Sequence, residues 1–170
     1  MEHTRTIKTP VGPMIAACGL EGLAALEFAG PRAAKAIRAV SPEPDEHGIL
    51  DETERQLAAY FAGDLTTFDL PLELFGSSFE VRVWQALREI PFGETTSYGE
   101  LAESLGSPGA SRAVGVANGK NRLAIVVPCH RVIGADGSLT GYGGGLDRKR
   151  TLLEHEGALA PDRGLFADGR

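Results

Sequence analysis

The sequence predicts an α+β protein in two parts: a small antiparallel sheet with helices over the first 75 residues, then a mostly helical part containing a helix-turn-helix. Three observations carry this reading. Residues 3–28 are short β-prone runs separated by turn residues. The second half twice spells Ser-x-x-Glu, the capping-box pattern that satisfies free backbone donors at a helix start. Two short helical stretches there are joined by a tight glycine-containing turn, the outline of a helix-turn-helix.

In chain order, Thr4 to Lys8, Met14 to Cys18 and Leu23 to Phe28 read as strands, separated by Pro10-Val11-Gly12-Pro13 and Leu20-Glu21-Gly22. Pro31 to Val40 reads as a helix, and Ser41-Pro42-Glu43-Pro44 forces a loop. A second helix over Ile49 to Ala62 places Leu50, Thr53, Leu57 and Tyr60 or Phe61 at near-helical spacing and stops at Gly63. The linker is expected around Leu70 to Gly76. The domains expected are therefore 1–75, 76–157 and a tail over 158–170.

In the second part, Ser77-Ser78-Phe79-Glu80 opens a helix running to about Ile90, which Pro91-Phe92-Gly93 ends. Ser97-Tyr98-Gly99-Glu100 opens a shorter one through Leu105. Gly106-Ser107-Pro108-Gly109 is the tight turn, and Ala110 to Asn118 is the second helix of the pair. Its small residues Ala110, Ala113, Gly115 and Ala117 allow close approach to another surface, or close packing in the core.

The chain has 170 residues with 42% hydrophobic and 24% charged content, which is the composition of a soluble globular protein. No apolar stretch approaches the roughly 20 residues of a membrane span, and the first residues have no signal-peptide pattern. An intracellular, cytoplasmic protein is expected. Two cysteines and four histidines without paired spacing leave no zinc site to assign. The net charge of −6 looks wrong for a nucleic-acid protein until it is divided: residues 1–75 hold 6 basic and 12 acidic residues, while residues 105–150 hold 7 basic against 2 acidic. A locally basic segment of that kind can meet phosphates.

The chemistry points to Pro128-Cys129-His130-Arg131-Val132. It follows Leu123-Ala124-Ile125-Val126-Val127, which reads as a short buried strand. A strand ending in a rigid proline delivers a thiol to a fixed point, and a neighbouring base raises the fraction of reactive thiolate. Cys-His adjacency alone also fits a small buried hydrophobe at a strand end.

Six words in register decide between these readings: Ser97 to Ala102, Ser111 to Gly115, Asn118 to Asn121, Ile125 to Gly134, Gly141 to Leu146, and Leu152 to Gly157. In order and spacing the chain resembles the O6-alkylguanine-DNA alkyltransferases, or methylated-DNA-protein-cysteine methyltransferases, from about Ser77 to Gly157. The first 75 residues resemble the family's ribonuclease H-like domain in outline, with Tyr60-Phe61-Ala62-Gly63 the closest local match. The resemblance implies repair of double-stranded DNA by direct damage reversal. An alkyl group passes irreversibly from O6-alkylguanine, with O4-alkylthymine a further candidate, to a cysteine of the protein, without a cofactor. The protein would act as a monomer in the minor groove, with cooperative binding along DNA an open question.

By resemblance, Cys129 is the nucleophile and alkyl acceptor, His130 the base acting through a water, and Glu156 the carboxylate that orients it. Tyr98 matches the phenol that assists the departing guanine, and Asn121 the hinge between recognition helix and reactive segment. Arg112 matches the arginine finger that fills the space of the rotated base, with Ser111, Ala113, Ala117 and Asn118 beside it on the DNA-binding helix. Val132, Ala124, Tyr142 and Gly143 match the pocket, Val132 offering its carbonyl to the guanine amine and Gly143 its N–H to O6. No metal ligands carry over. Two positions depart from the family pattern: Arg122 follows the hinge where proline is frequent, and Ala124 stands where some members carry proline. Two rivals remain, a helix-turn-helix lesion sensor that leaves the thiol unused and a Cys-His thiol hydrolase.

Overall fold

The computed structural model describes residues 1–160, so the last ten positions of the expected tail lie outside the described residues. The architecture is α+β. Strands β1 (Thr4–Ile7), β2 (Met14–Cys18) and β3 (Leu23–Phe28) form an antiparallel meander in that order. The β1–β2 connection turns at Gly12, whose φ of 113° is disfavoured for any residue with a Cβ. Every residue of β3 is buried because the sheet is covered on both faces. Helix α1 (Pro31–Val40) lays Ala33, Ala36 and Val40 inward, and Ala36 and Val40 pack on Ala17, Ala24 and Ala25. Helix α2 (Ile49–Phe61) covers the other face with Leu50, Leu57 and Tyr60.

The free edge of β3 organises the rest. Leu23 bridges Leu72 in parallel, so the segment expected to be a linker is fixed along the sheet. Leu26 bridges Leu123 in parallel, with Leu26 N–H donating to the Arg122 carbonyl and Ala124 N–H to the Leu26 carbonyl at 2.8 and 2.9 Å. The residues leading to Cys129 are thereby held against the N-terminal half. One apolar core runs through both halves, from Met14 and Tyr60 through Trp84 to Val127 and Leu152.

In the second half, α3 (Ser78–Leu87) and α4 (Tyr98–Ser104) each begin with the expected capping box, Ser77 with Glu80 and Ser97 with Glu100. Helix α5 (Ser111–Gly119) follows α4 across the glycine turn, and the Trp84 indole on α3 donates to the Ala117 carbonyl at 2.9 Å. Two-residue strands β4 (Thr96–Ser97) and β5 (Val132–Ile133) pair in parallel, joining the start of α4 to the segment just after the cysteine. Helix α6 (Leu146–His155) closes the fold.

The expected strand over Leu123 to Val127 is corrected. The segment is buried, but only Leu123 bridges β3. Val126 N–H then donates to the Ala124 carbonyl and Val127 N–H to the Leu123 carbonyl, both at 2.8 Å, and Ile125 between them has φ 71°. A β-branched residue in that region stores about 1–3 kcal/mol of strain. The competing partner is Asn121, whose amide donates to the Val127 carbonyl at 2.8 Å and draws the backbone into a coil in place of a ladder.

Candidate active site

Cys129, His130 and Arg131 form one turn of 3-10 helix immediately after Pro128, and all three are buried. The imidazole of His130 points at the carboxylate that caps α6: His130 Nε2 lies 2.8 Å from Glu156 Oε2, and both side chains have 0% exposure. Arg131 grips the same carboxylate, donating from Nε to Oε1 at 2.8 Å and from Nη2 to Oε2 at 3.0 Å, while its Nη1 donates to the Ile90 carbonyl at 2.6 Å. The Tyr60 hydroxyl of α2 completes the group, donating to Glu156 Oε2 at 2.6 Å.

These contacts set the charges. Burial raises the Glu156 carboxyl, but hydrogen bonds from His130, Arg131 and Tyr60 outweigh it and hold the group down at about 2. Burial lowers the basicity of His130, and the Glu156 hydrogen bond only partly restores it. A neutral imidazole facing an ionised carboxylate carries its proton on Nε2. Nδ1 then bears a free lone pair, and among the described residues it has no partner.

The thiol itself is not ionised at rest. Burial pushes Cys129 up to about 11, opposed by the Asn121 amide and by the charges of Arg32 and Lys149, and reinforced by Glu27. Asn121 holds the approach to Cys129 from two sides, donating to the Val127 carbonyl and accepting from Leu123 N–H at 3.0 Å. Asn118 is 4% exposed and its amide donates to the Cys129 carbonyl at 3.4 Å.

The pocket beside the thiol is shut. It is walled by Asn118, Asn121, Ala124 and the loop Gly141–Gly144, and its volume is about 10 Å³, marginal for one water. As it stands, the cavity admits nothing larger than a water. Tyr98, first residue of α4, reaches the start of this loop, its hydroxyl 3.3 Å from Thr140 Oγ1. The Val132 carbonyl already accepts from the buried Lys149 ammonium at 2.6 Å, and the same ammonium reaches the Thr140 carbonyl at 2.7 Å. Burial without a carboxylate partner brings Lys149 down to about 8. Among the described residues the Tyr142 hydroxyl is buried without a partner.

On the outer face of α5, Ser111, Arg112 and Ala113 are exposed, and Arg112 makes no hydrogen bond or ion pair among the described residues. Arg112 and Ala113 border an open groove of about 580 Å³ with Phe79 and Val116. The two other helix residues named with them lie deeper, Ala117 lining the same groove. Ala117 is 2% exposed, and Asn118 turns its amide inward to the reactive turn. At 100° per residue, positions 114, 117 and 118 form the inner stripe of a helix whose outer stripe holds 112, 113 and 116. Val116, 56% exposed, is the apolar residue on the outer face that sequence reading missed.

Tyr60, Arg131, Lys149 and Arg32 were also not singled out as site residues. Tyr60 carries a signal in the Tyr-Phe-Ala-Gly word and Arg131 in the Pro-Cys-His-Arg-Val word, while Lys149 and Arg32 carry none. Among the described residues no cluster of His, Cys, Asp and Glu has the grouping of a metal site, and no helix is long and apolar enough to cross a membrane.

Comparison with known proteins adds to this geometry. The model of the 6-O-methylguanine DNA methyltransferase ribonuclease-like domain matches residues 3–74, and that of the 6-O-methylguanine DNA methyltransferase DNA binding domain matches residues 78–158. The methylated-DNA–protein-cysteine methyltransferase of Mycobacterium tuberculosis is 52% identical over 167 residues, covering 98% of this chain and 99% of that protein. Its counterpart in Methanosarcina acetivorans is 49% identical over 151 residues, covering 89% and 96%. The crystal structure of the M. tuberculosis O6-methylguanine methyltransferase superposes with a TM-score of 0.78 at 52% identity, covering 95% of this chain and 96% of that one. The M. tuberculosis OGT in complex with DNA gives 0.78 at 49% identity, covering 92% and 94%.

Proposed function

The chain belongs to the 6-O-methylguanine DNA methyltransferase family, and from that premise we propose how its residues divide the work of DNA repair by alkyl transfer. Cys129 is the acceptor. The observation that carries the reading is the unpartnered Nδ1 of His130, buried one residue from the thiol while Nε2 is committed to Glu156. A water accepted at Nδ1 is a path for the thiol proton. The imidazolium formed would lie against a carboxylate that stays ionised, and Arg131 and Tyr60 fix that carboxylate in place.

The thiolate attacks the alkyl carbon of O6-alkylguanine: the S–C bond forms, the C–O6 bond breaks, and its electron pair leaves with the guanine. Tyr98 is suited to donate a proton to the departing base once the loop has opened. The thioether left on Cys129 is a poor leaving group for water, so transfer stops at one alkyl group per chain. Substrate selection falls to the Val132 carbonyl and the Gly143 N–H, with Ala124 and Tyr142 walling the pocket.

A target base inside a duplex must be rotated out, at a cost of a few kcal/mol. Arg112 is exposed, uncommitted and at the first turn of α5, which fits a side chain that enters the stack from the minor groove. Ser111, Ala113 and Val116 present a small, smooth surface beside it. Ala117 and Asn118 support the helix from within. The protein works on DNA as a monomer in this reading, inside the cell.

Replacing the thiol tests the assignment. Cys129→Ala should abolish transfer from duplex DNA containing O6-methylguanine while leaving DNA affinity within about threefold, since the thiol adds little contact area. Cys18→Ser should transfer normally. Transfer by Cys129→Ala, or loss in Cys18→Ser, overturns the assignment.

A further inference from the structure

The N-terminal half reaches the reactive pocket through one ion pair that the reaction described above does not use. Glu27, near the end of β3, is 3% exposed, and Arg32, in the first turn of α1, donates to its Oε2 from Nε at 2.7 Å. The other arm of the same guanidinium donates to the Gly119 carbonyl at 2.6 Å and to the Asn121 carbonyl at 3.1 Å. Gly119 ends the DNA-facing helix α5, where the helix dipole favours a cation, and Asn121 is the hinge. The guanidinium also lies directly against Gly143: a Cβ there would come within 2.4 Å of Arg32 Cζ. Phe28 packs in the same way against Gly144, and Arg148 stacks over Phe28 at 4.5 Å while donating to the Gly144 carbonyl. Both Glu27 and Arg32 line the small cavity beside Cys129.

We propose that Glu27 and Arg32 are positioning residues for alkyl transfer. Arg32 seats the glycine loop, the hinge and the end of the recognition helix on one guanidinium, and the pair sets the balance of charge that the Cys129 thiolate meets. This rests on the reading of Cys129 as the acceptor. One side chain then couples the element that docks on DNA to the loop that must open for the base. It also gives the N-terminal half a part in the chemistry beyond scaffolding.

The two charges pull in opposite directions. The ionisable groups facing Cys129 are Glu27 from β3, Arg32 from α1, His130 beside it, Tyr142 from the glycine loop and Lys149 from α6. Of the pair, Glu27 disfavours the thiolate and Arg32 favours it. A purely structural ion pair would give the same loss whichever partner was removed.

The test is the pH profile of single-turnover transfer from free O6-methylguanine base, which needs no base rotation, with folding checked by thermal melting. Glu27→Gln should move the rise of rate to lower pH and Arg32→Met to higher pH, each by about half a unit, as for a unit charge within roughly 10 Å at intermediate dielectric. Arg32→Lys keeps the charge but not the fork, so its profile should stay near that of the unchanged protein while its plateau rate falls. Should Arg32→Met not fold, the near-isosteric Glu27→Gln still carries the sign. Unshifted profiles, or shifts in the same direction, overturn the proposal. If the unchanged protein places no alkyl group on Cys129, the underlying reading fails instead.

Discussion

The two cysteines of this chain are both buried and both unpaired, yet they stand in surroundings of opposite character. Cys18 ends β2 beside Asp45, a carboxylate fixed by the backbone N–H groups of His47, Ile49 and Leu50. Burial and then that acid push its thiol up to about 12. Cys129 is held at about 11 by burial, but there an amide and two cations oppose the burial, and the next residue is an imidazole with an open nitrogen. On the proposed assignment, burial does not separate a structural thiol from a reactive one. What separates them is whether anything nearby can take the proton and welcome the charge.

Removing the carboxylate behind the imidazole should make Cys129 behave more like Cys18. Glu156→Gln leaves His130 without a counter-charge as it accepts the proton, so single-turnover transfer near neutral pH should fall about a hundredfold or more. The rate should recover as pH rises and the thiol ionises unaided. The same change strands Arg131 in the core and should cost about 3 kcal/mol of stability, read from urea unfolding. An unchanged profile in the folded variant would put the difference between the thiols elsewhere. The sign in acid follows from the shift: the folded carboxyl titrates at about 2 against an ordinary 4.5. Its stabilisation is therefore complete above pH 4.5 and lost as pH falls to 2. The advantage of the unchanged protein over Glu156→Gln should shrink across that window.

Arg112→Ala should leave both thiols as they are and impair only access. Transfer from duplex DNA should slow about tenfold or more, while transfer from the free base stays within about twofold. Equal losses on both substrates would move Arg112 into the pocket or the core. Tyr60→Phe removes one of the bonds to Glu156 but neither charge. It should cost about 1 kcal/mol in thermal or urea unfolding and change the rate little. Smallest of all, Asp45→Asn should raise the reactivity of Cys18 towards a small alkylating reagent without altering Cys129, as read by peptide mapping. No rise would mean that burial alone silences Cys18.

The sequence made the reactive segment legible because its residues are close together: Cys129, His130, Arg112, Asn121 and the glycine loop lie in a few words of fixed spacing. Its capping boxes marked the starts of α3 and α4 because that signal is local. What was hidden depends on pairings across long separations. Tyr60 meets Glu156 across 96 positions and Arg32 meets Gly119 across 87, and nothing in the composition around Tyr60 or Arg32 announces the partner. The strand expected at Leu123 to Val127 failed for a related reason. Its apolar run reported burial correctly, but the Asn121 side chain, not a neighbouring strand, claims its carbonyls.

The most direct measurement is the intact mass of the protein after reaction with excess duplex DNA containing O6-methylguanine, followed by peptide mapping. A single added methyl group, found as S-methylcysteine at Cys129 with Cys18 untouched, is the expected result. A methyl group on Cys18, more than one per chain, or continued turnover with no added mass would contradict it.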